Sequence, residues 1–266
     1  MRPAGQEPPS RGSPMDDAAL LRYSRQILLP ALDLDGQELL RRATVLLVGL
    51  GGLGAPAALY LAGAGCGTLL LADGDEVDLS NLPRQVLYEE ADLSQSKAAS
   101  AVRHLQARNS AVQYEALPAL HGEGLIAAVA RADLVLDCTD NFTSRSAIND
   151  ACLLTETPWL SAAALRTAGQ LMGFDPRDAQ SPCYRCLWPE PPAQEEDACA
   201  VAGVLGPVVG TLGLLQALEA VKWLSGNPRS ALGKVLSFEG LTLEMSTFTL
   251  PRRPHCPACG SAGPKR

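Results

Sequence analysis

Positive charge is in short supply: 22 Lys and Arg stand against 29 Asp and Glu, a formal net charge of −7. A general nucleic-acid-binding surface is therefore not expected. Lysine is the scarcer cation, with Lys97 alone before Lys222. There is no G-x-x-x-x-G-K-[ST] run, which excludes a P-loop. No N-terminal stretch joins a basic region to an apolar core, so secretion is not indicated. Eight cysteines in 266 residues are too few for a disulfide scaffold. Long uncharged runs are confined to residues 43–72 and 198–218. Glycines and Pro56 break the first into strand, turn, helix and strand. The second has the length of a membrane span, about 20 residues, but four glycines and Pro207 favour a buried helix. No membrane partner is expected.

What is present is ordinary for a folded protein, at 47% apolar and 19% charged. Residues 1–14, "MRPAGQEPPSRGSP", lack a core pattern and read as a disordered extension ahead of one domain over 15–266. Helical periodicity follows in "DDAALLRYSRQILL" and "DGQELLRRA". Strands are expected at 44–48, 68–72, 112–116, 133–137 and near 158–162, with helices ending near Gly65 and spanning about 95–108, 123–131 and 142–154. After residue 165 the pattern turns antiparallel in "GQLMGF", "GKVLSFE" and "EMSTFTL", around one long apolar helix over about 208–225. The fold class is α/β: a Rossmann-like, doubly wound mixed sheet, parallel in its N-terminal half and antiparallel in its C-terminal half. A nucleotide-binding half (about 43–165) precedes a half (about 166–266) carrying a metal site.

The chemistry concentrates in a few places. "TVLLVGLGGLGAP" meets a strand with Gly49, Gly51, Gly52 and Gly54, a turn that lets backbone approach a phosphate at a helix N-terminus. Asp73 ends the next strand, placed to accept from a ribose hydroxyl. Alone, these features favour an NAD-dependent oxidoreductase. "ADGDEVDLSNLPRQ" shifts the balance: Asn81, Arg84 and Gln85 follow the acid directly, and Lys97 opens the next helix. Arg and Lys suit a triphosphate whose charge moves during reaction, against the bland reading of solvated surface charges. "LVLDCTDN" ends a strand with Asp137, Asp140 and Asn141. Asp140 is the better magnesium carboxylate, because Asp137 still lies in the strand pattern, while Thr139 or Asn141 can cap the following helix.

Two C-x-x-C pairs, Cys183 with Cys186 and Cys256 with Cys259, supply four thiolates for a tetrahedral zinc. With no adjacent further ligand the site reads as closed and structural, pinning the tail to the loop after Cys183; a redox dithiol is the rival. Such pairing fits a reducing cytoplasm. Cys66, Cys138 and Cys152 sit in apolar contexts as buried thiols. His104, His121 and His255 have no catalytic context.

"RYSRQILLP", "VGLGGLG", "DGDEVDLSNLPRQ", "LDCTDN", "CYRC" and "CPAC" occur in one order over about residues 20–260. In this the chain resembles the molybdopterin-synthase adenylyltransferases, bacterial relatives of ubiquitin-activating enzymes, alongside the thiamine-pathway adenylyltransferase. The resemblance implies ATP and Mg²⁺ at the glycine turn, and a ubiquitin-like sulfur-carrier protein ending in Gly-Gly as partner. The carrier's carboxylate attacks the α-phosphate, giving an acyl-adenylate and pyrophosphate. It implies ribose contact by Asp73, phosphate contact by Asn81, Arg84, Gln85 and Lys97, and a metal carboxylate in Asp140. Arg25 would reach the phosphates from a second copy, hence a homodimer. Cys199 aligns with a cysteine that receives activated acyl groups or sulfur in relatives, although Glu195, Glu196 and Asp197 disfavour a thiolate there. Ala168 departs from the usual glutamate, while Arg166 is retained; the groove for the carrier tail is the place this touches. The small subunit of molybdopterin synthase leads as carrier, with a thiamine-pathway or other thiocarboxylate carrier as the alternative. A separate protein would donate the sulfur. An NAD oxidoreductase and a non-catalytic adaptor are the rival classes.

Overall fold

The computed structural model describes residues 15–189, 203–227 and 231–260. The stretch 1–14 and Cys199 with its acidic neighbours lie outside the described residues.

Two helices lead in: α1 (Asp17–Ile27), capped by the Asp16 carboxylate on the Ala19 N–H, and α2 (Asp33–Arg42). Alternation then begins with β1 (Thr44–Val48), α3 (Gly54–Ala64), β2 (Thr68–Ala72), α4 (Lys97–Arg108) and β3 (Gln113–Leu117). It continues with α5 (Gly122–Val129), β4 (Leu134–Asp137), α6 (Phe142–Thr155) and β5 (Trp159–Leu165). The chain then folds back as β6 (Ala168–Phe174), the short α7 (Tyr184–Leu187), the long α8 (Gly206–Leu224), β7 (Lys234–Glu239) and β8 (Glu244–Thr249). Gly65, left-handed at φ 82°, ends α3 where the sequence puts a stop.

All eight strands form one sheet in the order β3-β2-β1-β4-β5-β6-β7-β8. The first five are parallel and the last three antiparallel, as expected. Alternate residues feed two cores. Val45, Leu47, Leu69, Leu71, Leu134 and Leu136 pack under α3, α4 and α8. Leu46, Leu70 and Val135 face the opposite way, under α5 and α6. With both faces covered, strands that read as continuous apolar runs are accounted for. The chain winds from β1 outward through β2 and β3, then restarts on the other side with β4 and β5. That reversal opens a crevice beyond the C-terminal ends of β1 and β4, where parallel sheets take ligands.

The uncharged run at 198–218 contributes to α8, whose Val208, Val209, Leu212, Ala217 and Ala220 are buried against α3 and the sheet. Contact with α3 is close enough that a Cβ on Gly213 would stand 2.3 Å from the Leu53 carbonyl oxygen. No described helix is long and apolar enough to cross a membrane. Cys66, Cys138 and Cys152 are buried, and burial pushes all three thiols up, Cys66 to about 12.

Candidate active site and cysteine cluster

The glycine turn is a product of crowding. Gly49 sits at φ 92°, and a Cβ there would meet the Cys138 carbonyl oxygen at 2.7 Å. At Gly54 a Cβ would lie 2.0 Å from the Gly49 oxygen. Only glycine lets the chain double back so tightly between β1 and α3. The N-cap of α3, Leu53, offers no side-chain cap; the Ala55 N–H bonds the Gly51 carbonyl at 2.9 Å and Pro56 has no N–H, so any free donors at this end of the helix belong to the glycine turn itself. Asp73, just past β2, accepts the Leu50 N–H at 2.7 Å and the Asp75 N–H at 2.8 Å. Its carboxylate thereby locks the turn to the end of β2 while keeping lone pairs for another donor. Burial raises its pKa against those two bonds and the Lys97 charge.

Asn81 closes a single 3-10 turn, Leu79–Asn81, capped by Asp78 on the Ser80 N–H at 2.8 Å, and Arg84 and Gln85 follow it. This segment is wedged between the glycine turn and the start of α8. Cβ atoms built on Gly52 and Gly206 would come within 3.4 Å of the Arg84 oxygen and 2.7 Å of the Pro83 oxygen. Arg84 is half-buried and donates to the Ser80 carbonyl at 2.9 Å. Gln85 is buried, its amide nitrogen 3.5 Å from where a Gly51 Cβ would stand, and its Oε1 has no hydrogen-bond partner. A buried acceptor left open beside a glycine turn is a seat for a donor brought by a ligand.

Lys97 corrects the reading of a solvated surface charge. Its side chain is 6% exposed and its Nζ lies 2.8 Å from Asp75 Oδ2, a carboxylate that is 74% exposed. The ammonium is thus buried at the N-terminus of α4 and tethered to an acid that water reaches. Across the crevice, Asn141 caps α6 by accepting the Ser144 N–H at 2.8 Å, one of the two capping assignments the sequence allows. Asp140 is exposed, and its nearest protein partner is Asn141 Nδ2 at 3.5 Å. A single carboxylate with open oxygens suits Mg²⁺, which binds through one or two carboxylates and keeps several waters. Asp137 is fully buried at the end of β4.

Sequence reasoning missed Gln216. It is fully buried on α8, donates to the Asp137 and Leu160 carbonyls at 2.9 and 3.0 Å, and accepts the Cys138 thiol at 3.2 Å. Its signal was there: an amide in the middle of a largely apolar helix. Arg25 is not brought to this crevice. It is exposed near the end of α1, whose neighbour Gln26 donates to the Ala64 carbonyl at the far end of α3.

The four cysteines of the two pairs come together. Their Sγ atoms all lie within 4.8 Å of one another, with Cys183–Cys256 at 3.6 Å and Cys186–Cys259 at 3.5 Å. Zinc–sulfur bonds of ~2.3 Å set the edge of a tetrahedron at about 3.8 Å, so the cluster fits zinc. Cys186 Sγ also accepts the Arg253 N–H at 3.4 Å, and hydrogen bonds from Cys183 and Cys259 hold its thiol below the ordinary range. Beneath the cluster Trp159, Phe174 and Tyr184 pack with ring centroids 4.7–6.4 Å apart. Asn149 of α6 accepts the Tyr184 N–H at 2.9 Å, fixing the first cysteine pair to that helix.

A family model described as the ThiF family matches residues 23–258. The sulfur carrier protein ThiS adenylyltransferase of Escherichia coli (strain K12) is 50% identical over 249 residues, covering 93% of this chain and 98% of that protein. The molybdopterin-synthase adenylyltransferase of the same strain is 43% identical over 247 residues, 92% of this chain and 98% of that one. The crystal structure of E. coli MccB with ATP shares the fold, with a TM-score of 0.76, 24% identity, and coverage of 90% of this chain and 74% of that chain. The chain is an adenylyltransferase. It belongs to the ThiF family, and the nicotinamide reading of its glycine turn falls with that membership.

Proposed function

We propose that the chain uses ATP to adenylate the C-terminal glycine carboxylate of a small ubiquitin-like sulfur-carrier protein, releasing pyrophosphate. The observation carrying this reading is a convergence. The glycine turn, the 81–85 segment and the loop after β4 meet at the C-terminal ends of β1, β2 and β4, with cations on one side and an open carboxylate on the other. A carboxylate is ionised at neutral pH and needs no general base. Its oxygen attacks the α-phosphorus, and the bond to the bridging oxygen breaks, so that pyrophosphate leaves with the electron pair. The protein's task is to position the two anions and meet charge on the phosphates. In this reading Gly51, Gly52 and Gly54 bring backbone N–H groups to the phosphates and Gly49, whose N–H donates to the Ala72 carbonyl at 2.8 Å, shapes the turn, with Asn81 and Gln85 as polar contacts. Asp73 accepts from the ribose, and Asn141 holds the start of α6 beside the nucleotide. Arg84 supplies a guanidinium. Lys97 exchanges the exposed Asp75 for a more highly charged phosphate. Magnesium, held through Asp140, would neutralise phosphate charge.

Arg25, remote from its own crevice, fits a role toward the site of a second copy, in a homodimer. The cysteine cluster holds zinc as a structural pin. The carrier belongs to the sulfur-carrier class, and similarity leans toward a ThiS-type carrier over the molybdopterin-synthase small subunit, 50% against 43%. Sulfur comes from another protein. Carrier-dependent ATP–pyrophosphate exchange, run with both carriers, tests the reading. Arg84→Ala and Asp140→Ala should each cut exchange by about 100-fold or more in protein that stays folded. Wild-type rates in either variant would remove that residue's role, and exchange with neither carrier would remove the activity.

A further inference from the structure

The loop after β4 is held by two buried charges that the proposed chemistry does not itself use. Asp137 Oδ1 accepts the Thr139 N–H at 3.0 Å and the Thr139 hydroxyl at 2.6 Å. Its Oδ2 accepts the Ser161 hydroxyl from β5 at 2.6 Å. Arg145, in the first turn of α6 and 7% exposed, sets its Nε 3.7 Å from the same Oδ2 and donates from Nη2 to the Thr139 carbonyl at 2.7 Å. One ion pair therefore engages the N–H, hydroxyl and carbonyl of a single residue. On either side of Thr139 the chain is also tied, by the Cys138 N–H on the Val48 carbonyl at 2.9 Å and by the Asn141 cap. Between these anchors stands Asp140, exposed, its carboxylate approached by Asn141 Nδ2 at 3.5 Å.

Stability alone is a poor reason for such a pair. Desolvating two charges offsets most of their attraction, and apolar side chains of the same volume often serve as well. Burial indeed pushes the Asp137 carboxyl up while the Arg145 charge pulls it down. What apolar side chains cannot do is grip the polar groups of Thr139. We propose that Asp137 and Arg145 are positioning residues, locking Thr139 so that the Asp140 carboxylate stands in one place for the divalent cation accompanying ATP. The inference rests on the reading of Asp140 given above.

The test compares wild type, Asp140→Ala, Arg145→Met and the charge-balanced Asp137→Asn/Arg145→Met. Three quantities are read: the Mg²⁺ concentration at half-saturation of ATP binding by titration calorimetry, the kcat and KM of pyrophosphate exchange, and the thermal midpoint. The calorimetric arm needs no carrier. Arg145→Met should raise the Mg²⁺ half-saturation about tenfold and lower kcat about 10- to 100-fold, with the KM for carrier unchanged. That variant leaves Asp137 unpaired and is expected to melt early. The double variant should recover the midpoint to within a few degrees yet keep the Mg²⁺ and kcat defects. A folded double variant with wild-type Mg²⁺ dependence and kcat overturns the inference. If Asp140→Ala shifts the Mg²⁺ dependence and neither Arg145 variant does, the positioning role alone falls. If Asp140→Ala shifts nothing, the reading of Asp140 falls and takes this inference with it.

Discussion

Stripping metal from the four-cysteine cluster is the perturbation whose size the geometry sets most directly. Sγ separations of 3.5 and 3.6 Å are within about 0.3 Å of the ~3.8 Å edge of a zinc tetrahedron. Binding therefore asks for little rearrangement. The metal joins Cys183 to Cys256, 73 residues further on. Were the join permanent, restricting that loop in the unfolded chain would contribute about 4.4 kcal/mol. A dissociable metal reaches a similar figure by mass action, about 4 kcal/mol at free zinc 1,000-fold above Kd. At roughly 2–4 °C per kcal/mol for a chain of this size, the thermal midpoint should fall by about 8–16 °C on chelation. It should return when zinc is restored. The gap between loaded and chelated protein should narrow as pH falls, because protons compete with zinc for the thiolates. Elemental analysis of purified protein, with calorimetric scans of loaded and chelated samples, makes the comparison; a single zinc per chain is expected. A metal-free sample that is folded and melts within about a degree of its zinc-supplemented twin would refute the metal-pin argument and return the cluster to the redox reading.

Two further outcomes follow from buried polar groups. Gln216→Leu removes two donors from buried carbonyls and should cost about 2–3 kcal/mol, read as a lower urea midpoint at unchanged slope; no measurable shift would mean those carbonyls find other donors. Asp92 is buried, and although burial pushes its carboxyl up, the Glu89 N–H at 2.9 Å, His104 at 2.7 Å and the Arg103 charge outweigh it, leaving the group below its ordinary value of 3.8. A depressed carboxylate adds stability that is whole above the unfolded value and drains away as pH falls through the folded one. The stability gap between wild type and Asp92→Asn, from urea unfolding at a series of pH values, should be flat near neutrality and close in acid. A gap that widens in acid would reverse the sign assigned to Asp92.

Much of the sheet was legible because its signals are local. Apolar runs bounded by glycines marked β1 and β2 residue for residue, and the change of pattern after residue 165 marked where the sheet turns antiparallel. Crowding at Gly54 comes from Gly49 just before it and is local, whereas Gly49 is crowded by Cys138 from the loop after β4, which only the folded sheet brings there. The paired cysteines declared a common site because two C-x-x-C pairs supply the four thiolates of a tetrahedral zinc. Lys97 was read as a cation for phosphate, against the bland alternative of a solvated surface charge, and it is the burial that the sequence did not show. Its burial depends on Asp75, 22 residues earlier, and no local pattern encodes that pairing. Arg25 was legible as a cation but not as one standing beyond the far end of α3.

The sequence by itself determined which segments become strands and helices, that the turn after β1 is built of glycine, and that two cysteine pairs can share one site. These depend on periodicity, steric freedom and functional-group type, all written in neighbouring residues. Tertiary structure alone decided which side chains meet. Gln216 reaches Asp137 across 79 residues, and Tyr184 reaches Asn149 across 35. Those distances in sequence close only when two faces of one sheet are packed, because burial leaves a polar group no partner but the one packing brings to it.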